Sequence, residues 1–304
     1  MSVRPALPIT LRDDPATGLP CCPSVADAAR LSPAASEALH AYLDEQLAGY
    51  LETLPGEGTA HSGSIVATQD RLKGHFGRVG RGVFVAPNLG VHYPDAPPFA
   101  PDLLAVLDVP LHERRRWQVD VEGRGVDFVL EVLVDGDKKK DLVDNVEFYA
   151  SLGIPEYFVH VVRDQTVKAW RLETPDARRY VRVVPQFGRL PSRVLDLEWA
   201  VLEGQLRCWR NGAELPLTTE LVTLLGRQLA EKEAQLEEKI ALVDDAERAR
   251  ADLLRRGVLR TLKLRGLTPT PAELAEIADC ADLDRLTAWD ERVEDTPTVS
   301  ALLG

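Results

Sequence analysis

The sequence predicts an α/β fold: a mixed sheet flanked by helices, followed by a helical, coiled-coil-like C-terminal extension. Three observations predict it. Short apolar runs at 101–109, 127–134 and 157–162 have the continuous hydrophobicity of strands covered on both faces. Between the last two lies a helical stretch, 138–152, ended by Gly153, so a helix joins buried strands. From Leu217 the chain turns charged and helical, with Leu225, Leu229, Leu236, Ile240 and Val243 recurring at three, four and seven residues.

A chain of 304 residues can hold one sizeable core and an extra module. The expected division is a leader and N-terminal helix at 1–60, a core at 61–215 and a helical extension at 216–304. Net charge is −12, unevenly spread: counting side chains gives −5 over 1–60, −1 over 61–200 and −6 beyond. A near-neutral core between acidic flanks argues against tight nonspecific DNA binding, which depends on neutralising phosphates. Local basic clusters remain at Arg114–Arg115–Arg116 and Lys138–Lys139–Lys140. Each is a candidate phosphate contact, against the plainer reading of a solvated loop or helix start. Cys21, Cys22, Cys208 and Cys280 have no metal-ligand spacing, which suits a reduced, cytoplasmic protein. No apolar run near 18 residues and no signal-like start is present, so neither a membrane span nor export is expected.

In chain order, residues 1–33 are proline-rich and aperiodic. Ser32–Pro33 reads as a helix start, cap then first-turn proline. The helix at 34–54 shows an apolar face through Leu39, Tyr42, Leu43, Leu47 and Leu51, and ends in the Pro-Gly-Glu-Gly breaker at 55–58. A second helix is expected at 61–76, stopped by Gly77. Residues 80–87 and 90–93 read as a hairpin or bent strand pair. Beyond the central helix, strands are expected at 157–162, 166–172 and 180–184, with a hairpin-like segment at 205–215 turning at Gly212. Pro269 and Pro271 break the long helix, and 272–286 reads as a short acidic helical tail.

Two apolar runs carry one acidic residue each where a charge is expensive: Asp102 at the mouth of the first, Glu131 inside the second. A buried carboxylate needs a partner, and a metal ion is one that fits two strands lying side by side. The plainer readings are a turn residue after proline for Asp102 and an ion-pair member for Glu131.

The order of Pro101–Asp102, Glu131–Val132–Leu133, and Asp141 to Tyr149 followed by Gly153–Ile154–Pro155–Glu156–Tyr157 resembles the PD-(D/E)xK nuclease superfamily. Within it, the chain resembles the Uma-type family of restriction-endonuclease-like proteins over roughly 61–199. The resemblance implies a restriction-endonuclease-like fold and a metal-dependent endonuclease acting on DNA. Carried over, Asp102 and Glu131 are metal ligands with the Val132 carbonyl as a third, and the ion is Mg²⁺ or Mn²⁺. It also implies a histidine near the start of the helix before the sheet, a position His61 matches loosely.

Two positions depart from the pattern. Leu133 stands where the strict motif has its lysine, and Asn145 stands where Uma-type proteins place it on the following helix. The family serine after the glutamate strand is Val134 here. Helical spacing offers Lys138, which shares a face with Asp141 and Asn145 at i, i+3, i+7, as a substitute cation. The candidate catalytic set is therefore Asp102, Glu131, Lys138 and Asn145. The alternative is a catalytically inactive nuclease fold serving as an oligomerisation or interaction module. Its apolar helical seam would pair in a homodimer or fold back as an intramolecular hairpin. The glycines at 77, 80 and 82 lack a P-loop lysine, and no Ser–His–Asp arrangement points to a protease or transferase.

Overall fold

The computed structural model describes residues 9–54, 58–134 and 138–304; the first residues of the leader and most of the breaker at 55–58 lie outside them. The chain divides into two compact units, Met1–Leu221 and Val222–Gly304.

In the first unit a short turn, α1 (Val25–Ala28), precedes α2 (Pro33–Leu51). Ser32 caps α2 by accepting the Ala35 N–H at 3.2 Å, with Pro33 in the first turn. Helix α3 (Thr59–Val79) runs through Gly77 and ends at Gly80, whose φ of +69° supplies the left-handed cap. The stop expected at Gly77 is thus displaced, because termination needs that backbone conformation and not merely a glycine.

The main sheet contains β1 (Val83–Pro87), β3 (Leu103–Leu107), β5 (Phe128–Leu133), β6 (Glu156–Val161), β7 (Thr166–Arg171) and β8 (Val181–Arg182), in that spatial order. Only β5 and β6 run parallel. Their crossover contains a π-helical turn, Lys140–Asp144, and α5 (Asn145–Ser151), as a parallel pair requires. Of the hairpin or bent strand pair expected at 80–93, the two strands form but do not pair with each other. β1 pairs with β3, while the two-residue β2 (Val91–His92) pairs in parallel with β4 (Trp117–Gln118), which leads into a turn, α4 (Val119–Glu122). Val83 and Val85 are buried, and so short a strand could not back them.

A second sheet, β9 (Leu190–Ser192), β10 (Leu197–Leu202), β11 (Gln205–Arg210) and β12 (Ala213–Glu214), is antiparallel throughout. Asn211 and Gly212, both at positive φ, turn β11 into β12. The buried Arg71 of α3 donates to the Leu206 and Leu215 carbonyls, tying helix to sheet. All six residues of both β5 and β6 are buried. Phe128, Leu130, Val132 and Phe158 pack with α3 residues and Trp199. Val129, Leu133, Tyr157 and Val159 pack with Tyr149 and Trp117 on the other face. Each fully buried side chain of this kind stabilises the fold by about 1.5–3 kcal/mol.

In the second unit, α6 (Thr218–Leu264) is one continuous helix. Beyond it, α7 (Pro271–Asp279), α8 (Leu283–Arg292) and α9 (Val299–Leu303) follow. The expected acidic tail is instead packed: Ile277, Leu286, Trp289 and Leu302 bury against Val258 and Leu262. A capping box between Thr270 and Glu273 starts α7. Along α6, Leu225, Leu229, Leu236, Ile240 and Val243 are each more than half exposed, so no hairpin of the described residues covers that seam. No described helix is long and apolar enough to cross a membrane.

Candidate active site

β3 and β5 pair as far as Leu103 and Leu130. One step further, side chains take over the backbone groups. Val132 N–H donates to Asp102 Oδ2 at 2.6 Å, and Asp102 N–H donates to Glu131 Oε2 at 3.2 Å. These reciprocal bonds hold the two carboxylates side by side where the strands part. His61 Nε2, from the first turn of α3, lies 2.9 Å from the same Asp102 oxygen and donates to it. Tyr149 of α5 donates its hydroxyl to Glu131 Oε1 at 2.7 Å. Asp102 Oδ1 has no hydrogen bond among the described residues.

Glu131 is 6% exposed and the Asp102 side chain 14%. Burial pushes the Glu131 carboxyl well above the usual carboxylate range, and the neighbouring charges of Asp102 and Asp141 push it further. The Tyr149 hydrogen bond and the Lys140 charge act the other way without reversing the shift. No described Lys or Arg forms an ion pair with Glu131.

The structure separates the candidate cations. Lys138 is turned away: its ammonium lies 3.5 Å from Asp164, and its side chain is 60% exposed. Lys140 instead lines a cavity of about 310 Å³ together with Glu131, Asn145 and Tyr149. Partial burial works against its charge, but Glu131, Asp141 and Asp102 outweigh that and raise its pKa above the usual lysine value.

The difference originates in the π-helical turn. The Asn145 N–H bonds the Lys140 carbonyl five residues back, so the α-helical spacing that grouped 138, 141 and 145 does not apply. Asn145 itself donates to Asp141 Oδ1 at 3.2 Å. The buried Asp141 accepts Tyr157 Oη–H on its carbonyl at 2.8 Å.

The Uma2 family model, described as "Putative restriction endonuclease", matches residues 35–205, more than half of the chain. The chain belongs to this family. Among solved structures, the crystal structure of "a putative nuclease belonging to DUF820" from Anabaena variabilis ATCC 29413 is similar at 15% identity and a TM-score of 0.39. The match covers 49% of this chain and 81% of that one. No curated protein matches.

The Uma2 match spans α2 to the start of β11 and includes every residue of the carboxylate site. Sequence reasoning gave little weight to two of them. Tyr149 reads as a core aromatic, and His61 as a helix-end histidine, because their partners Glu131 and Asp102 stand 18 and 41 residues away. Among the described residues no three His, Cys, Asp or Glu side chains converge as a ready-made metal cluster. The donor set is two carboxylates and neighbouring backbone. It is all oxygen, half-open and short of positive charge, which fits a hard divalent cation that keeps several waters.

Proposed function

We propose that this chain hydrolyses DNA phosphodiester bonds, with Asp102, Glu131 and the Val132 carbonyl holding Mg²⁺ or Mn²⁺. The observation that carries the proposal is the pair of carboxylates bonded through each other's strand backbone, with Glu131 buried and no described Lys or Arg in ion-pair contact with it. When bound, the divalent ion supplies Lewis acidity toward the phosphate and lowers the pKa of water.

The other tasks fall to side chains. His61 and Val132 N–H fix Asp102 on one oxygen and leave the other free to ligate. Tyr149 orients Glu131. Lys140, from the π-helical turn, supplies the positive charge that Asn145 cannot and stabilises negative charge developing on the phosphate. Asn145 holds Asp141, and Lys138 serves only as a solvated cation near the turn.

Cleavage of single-stranded DNA, and of supercoiled plasmid where strands transiently unpair, with Mg²⁺ or Mn²⁺ tests the proposal. Glu131→Gln is expected to abolish cleavage, and Lys140→Ala to reduce it by about 100–1,000-fold, the loss of one charge-stabilising group. Lys138→Ala is expected to change it less than about twofold, as befits an exposed ion pair. Asn145→Lys is expected to raise it. Cleavage unchanged in Glu131→Gln would defeat the reading.

A second reading rests on the exposed apolar seam of α6. In it the chain is an inactive nuclease fold that pairs as a homodimer through that helix. Sedimentation of the wild type against Leu229→Glu/Leu236→Glu tests the pairing, and the same cleavage assays test the inactivity.

A further inference from the structure

We propose that the site accepts DNA as a single strand, or as a nucleotide extruded from a duplex, and not as an intact double helix. This rests on the nuclease reading and adds the substrate class. Two independent features carry it: the shape of the entrance and the fate of the basic residues.

The cavity leading to Glu131 holds about 310 Å³, the low end of pockets that enclose a small ligand (about 300–1,000 Å³). One nucleotide fits there; a duplex does not. Its walls are Phe99, Phe148 and Tyr50, with Thr17 and Leu19 of the N-terminal segment forming part of the rim. Phe99 and Phe148 meet edge to face, ring centroids 5.3 Å apart, and Tyr50 lines the same cavity as Lys140. Aromatic walls beside a phosphate-handling group are what an unpaired base needs, since stacking contributes about 1–3 kcal/mol per base.

The rim is fastened in place. Asp14 accepts from both the N–H and the hydroxyl of Thr17 at 2.8 Å. Cys22 N–H donates to the Ala96 carbonyl at 2.8 Å, and Arg12 donates to the Asp95 carbonyl at 2.9 Å.

A duplex presents one charge per about 1.7 Å of axis and is held by neutralising several phosphates. Four of the six residues in the two basic clusters, all but Arg115 and Lys140, are paired within the protein. Arg114 is paired with Glu122 and stacked on Phe84 and Trp117. Arg116 is paired with Glu37 and Asp44. Lys138 and Lys139 face Asp164 and Asp144. Of the residues lining the cavity, Lys140 is basic while Asp14, Glu131 and Asp144 are acidic. Such a surface repels a polyanionic rod yet can seat one phosphate.

The test uses the full chain with Mn²⁺ and four substrates. They are a single-stranded 30-mer, the same sequence as a blunt duplex, that duplex with a three-nucleotide unpaired bulge, and bis(p-nitrophenyl) phosphate. The single strand should be cut about tenfold or more faster than the duplex, and the bulged duplex at its bulge. Tyr50→Ala should narrow the ratio of single-strand to duplex cleavage. Blunt duplex cut as fast as single strand, with the small diester also hydrolysed, would overturn this inference and leave the nuclease reading standing. Hydrolysis of the small diester with no DNA cut would overturn both this inference and DNA as the substrate, leaving only a phosphodiester-hydrolysing site. No hydrolysis of any substrate, the small diester included, would bring down both.

Discussion

Two buried polar clusters in the first unit show how differently a fold treats charge. Around His40 and His92 nearly every group is answered from within. The two Nδ1 atoms lie 2.7 Å apart, Gln118 reaches His40 Nε2 at 2.8 Å, and Asp44 sits 3.1 Å from His92 and 2.8 Å from Arg116. Arg116 also meets Glu37 at 3.0 Å. Around Asp102 and Glu131, two carboxylates are pressed together; His61 meets Asp102 at 2.9 Å, but no described Lys or Arg forms an ion pair with either. The first cluster is nearly complete and ties α2 to the β2–β4 ladder. The second lacks positive charge, which is why function is assigned there. Paired networks perturb titration for structural reasons, whereas a like-charge pair without a Lys or Arg counter-ion calls for a ligand.

Acid should strain the nearly complete cluster first and most. Burial holds His40 down to about 4, and the charge of His92 adds to this. Burial alone does the same for His160, also to about 4. Both folded values lie below the unfolded 6.5, so protons bind the unfolded chain preferentially. The stability these neutral rings contribute is present above pH 6.5 and is lost as pH falls toward 4. The loss is roughly 3 kcal/mol per histidine, and chemical denaturation at pH 7, 5.5 and 4.5 would follow it. His160→Asn should flatten part of that slope.

A smaller effect separates the clusters by sign. Asp44→Ala leaves Arg116, 9% exposed, with one partner fewer, and should destabilise by about 2 kcal/mol. Glu131→Gln removes a charge that burial and Asp102 already oppose. The raised folded value means that stability is present below the unfolded carboxylate range and lost as pH rises, and Gln imitates the protonated form. It should therefore stabilise the metal-free protein at pH 8 by about 1 kcal/mol. Thermal unfolding of both variants without divalent ions checks the contrast, which fails if the two shifts share a sign.

Much of this site was legible in the sequence, and the illegible part has physical causes. Asp102 and Glu131 stood out because a carboxylate in an apolar strand is costly wherever the strand lies. The central parallel pair followed from unbroken apolar runs flanking a helix. Lys140 did not stand out beside Lys138, because spacing arguments assume 3.6 residues per turn and the π-helical turn breaks that rule. β9 is only three residues long, and Pro191 obscures its alternation. The C-terminal core was read as a tail because Ile277, Trp289 and Leu302 are far apart in an acidic stretch and meet only after three helices fold.

The most direct test of the account is the shift in melting temperature on adding Mn²⁺ at pH 6, 7 and 8, for wild type and Glu131→Gln. Ligation needs Glu131 ionised, so the wild type should be stabilised by the ion, increasingly so as pH rises. Glu131→Gln should be indifferent to it. Equal stabilisation of both proteins, or none of the wild type at pH 8, would contradict the assignment of a cation to Asp102 and Glu131.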